Sequence, residues 1–174
     1  MRPLAAPESR AKTILIVDDM PANLKVVGRH LERHRNRAVV APGGDEGIER
    51  AELVQPNLIL LDVMMPGLDG SETCRRLKAS ANARDIPVIF MTALTDTGDK
   101  LTGFEVGAVD YVTMPLNGAE VLARVDTHLT LYTLRRQLEE QNAQLQQEIA
   151  ARADPGGAAT LQHRTGAAGL RGVA

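Results

Sequence analysis

Four short stretches of this chain carry side chains that could do chemistry together. Asp18-Asp19 follows the apolar run Ile14-Leu-Ile-Val17, and Asp62 follows Leu58-Ile-Leu-Leu61. Thr92 follows Val88-Ile-Phe-Met91, and Met114-Pro115 comes just after Val109-Asp-Tyr111-Val112. Each group therefore stands at the carboxyl end of an apolar run. Three carboxylates gathered at one edge repel one another, and they persist there if water separates them or a hard cation sits among them. With few other oxygen ligands, Mg²⁺ is the natural choice, because it takes one or two carboxylates, a carbonyl and waters. A metal-neutralised carboxylate beside a hydroxyl is suited to accept a phosphoryl group, with positioning and charge cancellation doing the catalysis. Singly, each residue has an ordinary reading. Asp18-Asp19 ahead of Pro21 could cap a helix, Thr92 could cap the next one, and Asp62 could be a loop carboxylate. All of these readings would have to hold at once at converging strand ends.

Convergence depends on the elements. A fifth short apolar run is Ala38-Val-Val-Ala41. Between the runs lie helix-length segments with apolar residues three or four apart: Leu24, Val27 and Leu31; Ile48, Ala51 and Val54; Cys74 and Leu77; Leu101, Phe104 and Ala108. Strands that are apolar throughout, joined by helices, predict an α/β domain: a doubly wound, five-stranded parallel sheet covered on both faces. Chemistry in such sheets sits at the carboxyl ends of the strands.

The segments flanking this pattern differ from it. Residues 1–11 lack periodicity and read as a flexible N-terminal arm. From Gly118 to about Arg152 the chain reads as one extended C-terminal helix, with Leu131, Leu138 and Leu145 seven apart. Placing these at heptad position d puts Arg135, Asn142 and Ile149 at a, and a lone Asn at a specifies a parallel two-stranded coiled coil. The expectation is a homodimer through residues 118–152; the plainer reading is a solvated helix whose leucine seam packs on its own domain. Residues 153–174, beginning near Asp154-Pro155-Gly156-Gly157, are Gly- and Ala-rich and read as a disordered tail that leaves no room for an output domain.

Composition narrows the function classes. The chain has 174 residues, 44% of them apolar, with 20 basic against 22 acidic side chains and a net charge of −2. Near-neutrality argues against bulk binding to nucleic acid or an anionic membrane. Aromatics are 2% of the residues, too few for stacking platforms. Cys74 is the single cysteine, which excludes an internal disulfide and a cysteine-built zinc site. With no apolar leader and no membrane-length run, a cytoplasmic protein is expected.

The motifs Ile14-Leu-Ile-Val-Asp-Asp19, Leu60-Leu-Asp62-Val-Met-Met-Pro66-Gly-Leu-Asp-Gly70, Met91-Thr92-Ala93 and Gly107-Ala-Val-Asp-Tyr111-Val-Thr-Met-Pro115 closely resemble the receiver (CheY-like) domain of bacterial two-component response regulators. The resemblance covers about residues 12–128. It implies a flavodoxin-like sheet of order 2-1-3-4-5, and a phosphoacceptor that catalyses only its own phosphotransfer and dephosphorylation and is otherwise no enzyme. It implies Asp62 as phosphoacceptor, Asp19 as a direct Mg²⁺ ligand, Asp18 acting mainly through water, and Met64 giving its backbone carbonyl to the metal. Thr92 would bond a phosphoryl oxygen, and Tyr111 matches the aromatic that changes rotamer on activation. The implied partner is a cognate sensor histidine kinase. Output would run through protein contacts at the fourth and fifth helices and the fifth strand, or through the terminal helix.

One position departs from the family: Met114 stands where it carries a lysine. Asp18, Asp19 and Asp62 sum to about −3, Mg²⁺ brings this to about −1, and phosphorylation adds roughly one more negative charge. A lysine would offset that charge and a thioether cannot, so weakened switching is expected. A phosphorylation-independent pseudo-receiver, acting as a dimeric interaction module, is the competing reading, with Met114 its best support. An aspartyl-nucleophile phosphohydrolase would want a second Asp where Met64 stands. Met64 and Leu94, two residues beyond Asp62 and Thr92, could shield an acyl phosphate from water.

Two motifs read as decoys. Gly43-Gly-Asp-Glu46 is similar to a cyclic-dinucleotide cyclase signature, but it opens a helix here and reads as turn and N-cap chemistry. His30 and His34 lie one turn apart among Arg29, Arg33, Arg35 and Arg37, which would repel a metal; this basic helix end reads as solvated, a patch for a partner's acidic surface.

Overall fold

The computed structural model describes residues 11–93 and 104–153. In chain order the elements are β1 (Thr13–Val17), α1 (Pro21–Arg33), β2 (Arg37–Ala41), α2 (Gly44–Val54), β3 (Leu58–Asp62), α3 (Gly70–Ala79), β4 (Val88–Thr92), β5 (Asp110–Thr113) and α4 (Gly118–Ala153). All pairings are parallel, in the order β2-β1-β3-β4-β5. The expected five-stranded, doubly wound sheet with an extended terminal helix is what forms. The helix expected around Leu101 lies mostly outside the described residues, as do the arm through Arg10 and the tail from Asp154.

Strand alternation splits the core between the two faces of the sheet. Ile14 and Ile16 of β1, with Leu58 and Leu60 of β3, pack against Val27 and Leu31 of α1 and against Val121, Leu122, Val125 and Leu129 of α4. Leu15, Val17, Ile59 and Leu61 face the other way, onto Ala51 of α2 and onto Cys74 and Leu77 of α3. Burial of these aliphatics on both faces is the main stabilising term, roughly 1.5–3 kcal/mol for each large side chain.

Local sequence sets the helix ends. Pro21 opens α1 at a position where its missing N–H costs nothing. Asp69 caps α3, its Oδ1 accepting the Glu72 N–H at 2.8 Å. The Gly43-Gly44 turn does open α2, but Gly43 is the N-cap and no side chain closes it. Asp45 and Glu46 lie in the first turn, where they favour the positive end of the helix dipole. Val54, expected on the inner face of α2, is 40% exposed because it is the helix's last residue.

The described residues up to Thr133 form one compact unit, and those from Leu134 form a second. In α4 the early apolar positions are buried, whereas Leu131, Leu134, Leu138, Leu145 and Ile149 are each more than half exposed.

Candidate functional site

The site stands on the carboxyl ends of β1, β3, β4 and β5. Asp18 directly follows β1, and its N–H donates to the Ala41 carbonyl at 3.1 Å, extending the β1–β2 ladder by one rung. Asp62 is the last residue of β3 and pairs with Met91 of β4. The Val63 N–H then reaches the Met91 carbonyl at 3.1 Å, fixing the exit of the chain from β3. Thr92 ends β4 and pairs with Thr113 of β5. The next residue, Met114, donates its N–H to the Thr92 carbonyl at 2.8 Å.

One oxygen from each of Asp18, Asp19 and Asp62 lies within 4.8 Å of the other two. This is the convergence that the strand order demands. The donors are all carboxylate oxygens, a set that suits a hard divalent cation rather than a thiophilic one. Asp18 is fully buried, while Asp19 and Asp62 are half-buried. A buried carboxylate needs donors, and Asp18 has two. The Met20 N–H reaches its Oδ1 at 2.8 Å and the Asn23 side-chain amide reaches its Oδ2 at 2.9 Å.

Asp62 is held differently. Its Oδ1 accepts the Met64 N–H at 3.1 Å. Burial pushes its carboxyl up to about 6; the Met64 bond works against this, and the neighbouring charges of Asp18 and Asp19 add to it. At neutral pH the group is mostly ionised and basic for a carboxylate. Oxygen nucleophilicity and affinity for a cation both favour that state. The Met64 side chain is 63% exposed. Leu94, its expected companion over the site, lies outside the described residues.

Thr92 is buried at the strand end, and Met114 is half-buried beside it. The Met114-Pro115 peptide bond is cis. Tyr111 sits elsewhere: it pairs with Phe90 in the middle of the β4–β5 ladder, half-buried on the sheet face that packs against α2 and α3. Its ring meets Phe104 edge-on, with centroids 6.0 Å apart. The Arg124 guanidinium lies 5.9 Å from its centroid.

Three features escaped the sequence reading. Asn23 orients Asp18, and nothing in its spacing announces this until the start of α1 is known. Gly70 lies against the backbone of Asp62 and Val63, so closely that a Cβ there would meet the Asp62 carbonyl. Its place in the Pro-Gly-Leu-Asp-Gly run was the available signal. Asp110 bonds both Arg124 (2.7 Å) and His128 (3.0 Å) of α4, tying β5 to that helix. Burial alone would raise the Asp110 carboxyl, but bonds from His128, the Tyr111 N–H and Arg124 outweigh burial and hold it below its ordinary range.

Comparison with known proteins agrees with the fold. The response regulator receiver domain family matches residues 14–126. The response regulator PleD of Caulobacter vibrioides is 41% identical over 112 residues, 64% of this chain and 25% of its own. The chain spans a quarter to about half the length of such curated relatives. Among solved structures, the receiver domain of a signal transduction histidine kinase from Syntrophus aciditrophicus superimposes with a TM-score of 0.64 at 35% identity, covering 69% of this chain and 91% of that one. The receiver domain of the sensor histidine kinase PA1611 from Pseudomonas aeruginosa, with a magnesium ion in its active-site cleft, superimposes at 0.65 and 29% identity, covering 69% and 98%. Among the described residues no helix is long and apolar enough to cross a membrane. A parallel sheet of this order, a carboxylate cluster on its carboxyl edge and a family match across both lead to one conclusion: the chain belongs to the response regulator receiver domains of two-component signalling.

Proposed function

We propose that Asp62 accepts a phosphoryl group from a sensor histidine kinase, with Mg²⁺ held by Asp19, Asp62 and the Met64 carbonyl, and with Asp18 acting through water. The observation that carries this reading is the approach of the three carboxylates to within 4.8 Å of one another. Mg²⁺ in that set would cancel the repulsion between the carboxylates and an incoming phosphoryl group. An oxygen of Asp62 takes the group, and the bond to the donor nitrogen breaks as the new P–O bond forms. The Met64 N–H keeps one Asp62 oxygen in place for the transfer. Thr92, buried at the end of the adjacent strand, would bond a phosphoryl oxygen, and Tyr111 would be the element that moves in response.

Signalling then runs through protein contacts, with the chain a homodimer through α4. The exposed stripe Leu131, Leu138, Leu145 and Ile149 supports a helix that seeks a partner helix. Met114 weakens the coupling between phosphorylation and output, because its uncharged thioether cannot offset the added charge as a lysine would.

Intact mass after treatment with acetyl phosphate and Mg²⁺ tests the first step. A gain of one phosphoryl group, lost in Asp62→Asn, is the expected result. No gain in the parent chain would favour the phosphorylation-independent interaction module to which Met114 points. Sedimentation equilibrium tests the dimer: Leu138→Glu with Leu145→Glu should leave a monomer.

A further inference from the structure

The cations of most helices here have acidic partners. Arg50 meets Glu46, Arg75 and Arg76 meet Glu72, and Arg124 meets Asp110 and Glu120. The face made by α1 and β2 is different. Lys25, Arg29, Arg33, Arg35 and Arg37 are all exposed, and among the described residues none of them makes an ion pair. Arg35 even occupies a left-handed turn position, φ 63°, where glycine or asparagine is the ordinary choice.

Beside this patch lies a groove of about 460 Å³, between α1 and the outer side of β2. Leu24, Gly28, Ala38 and Val40 give it an apolar lining; Lys25 and Arg29 stand on its rim, with Glu32 the one acid among its walls. β2 is an edge strand. The Arg37 N–H donates to the Lys12 carbonyl and the Ala41 carbonyl accepts the Asp18 N–H, so these positions turn their peptide groups toward β1. The alternation of a strand then turns the peptide groups of Ala38 and Val40 outward, unclaimed by the sheet. Val40 is 39% exposed.

We propose that this groove receives an extended, acidic segment of a partner protein, which adds a strand to β2. Its backbone would bond the outward peptide groups of Ala38 and Val40, its small apolar side chains would cover Leu24 and Val40, and its carboxylates would meet Lys25 and Arg29. Backbone bonds would supply the affinity, and the rim would supply the preference for acid over base. An apolar floor and the lack of exposed aromatics on this face disfavour nucleic acid as the occupant. The site is separate from the carboxylate cluster and does not depend on phosphorylation.

The test uses the full chain and a fluorescein-labelled peptide of repeating Val-Ser-Asp-Ser, which sets Val and Asp on the same strand face, followed by anisotropy at physiological salt. The peptide should bind, its counterpart with Lys in place of Asp should not, and methylating its alternate backbone nitrogens should cost about tenfold or more. Lys25→Glu with Arg29→Glu, checked for an unchanged circular dichroism spectrum, should cost a similar factor, and Asp62→Asn should cost nothing. Equal binding of the methylated peptide would overturn strand addition without reliance on any variant. Equal binding by the doubly charge-reversed chain would overturn the role of the rim. Tighter binding of duplex DNA or of anionic phosphatidylglycerol vesicles, in competition with the peptide, would assign the patch to those partners and overturn the proposal.

Discussion

Asn23 donates its side-chain amide to Oδ2 of Asp18 over 2.9 Å, from the first turn of α1 to the residue that follows β1. This bond and the Met20 N–H hold a fully buried carboxylate in one orientation. Groups that orient a ligand set commonly matter to metal affinity by 10- to 100-fold. We expect Asn23→Ala to weaken Mg²⁺ binding by about tenfold while leaving the fold intact. Calorimetric titration of Mg²⁺ into both proteins checks this, and equal affinities would show that Asp18 needs no such support.

Asp62 gives a pH dependence with a definite sign. Its folded pKa, about 6, stands above the ordinary 3.8. Between those values the folded chain binds more protons than the unfolded one, so metal-free stability falls as pH rises from about 4 to 6. Above that window the penalty is fully present. Solvent exposure of this half-buried group keeps it to about 1–2 kcal/mol. Asp62→Asn should therefore be more stable than the parent by about this amount at pH 7 in chelator, with the gap closing toward pH 4. Urea titrations at both pH values measure it, and Mg²⁺ should reduce the gap by favouring the parent.

Gly70 allows α3 to start directly against the end of β3. Its N–H donates to the Val63 carbonyl at 3.0 Å, and a side chain there would strike the Asp62 carbonyl, which is backbone and cannot swing aside. Gly70→Ala should destabilise the chain by about 1–3 kcal/mol. It should also displace Asp62 enough to weaken Mg²⁺ binding. A variant with unchanged stability would mean that α3 can shift without cost.

Met114 is the simplest electrostatic test. Its N–H bonds the Thr92 carbonyl, so a lysine placed there would start from the same strand end as the hydroxyl. An ammonium near a bound phosphoryl mimic gains on the order of 1 kcal/mol at the partial exposure of this edge. Met114→Lys should bind beryllofluoride in the presence of Mg²⁺ at least about fivefold more tightly, with a larger change in Tyr111 fluorescence. Equal binding and equal response would remove the charge argument.

The fold was legible because Ile14 to Val17 of β1 and Leu58 to Leu61 of β3 are apolar at every position, which only a sheet covered on both faces requires. The acids at their ends were legible for the same reason: Asp18 and Asp62 stop runs that nothing else interrupts. The tertiary partners were not legible. Asn23 is an unremarkable helix residue until Asp18 is seen to turn toward it. Asp110 looked like one polar position in a short strand, yet two residues of α4 converge on it from 14 and 18 positions away in sequence. Val54 shows the opposite failure, since its spacing fits the inner face but its place at the last turn does not. Periodicity reports which face a residue shares, and it says little about where an element stops.

The division of β1 between two cores has a mechanical consequence. Ile14 and Ile16 belong to one layer and Leu15 and Val17 to the other, so neither layer can loosen without disturbing the strand from which Asp18 hangs. A chain so clamped has no cheap way to melt one side and keep the other. Heating should extinguish cation capture and the parallel sheet in a single step, and a partly molten species still grasping the ion should never accumulate.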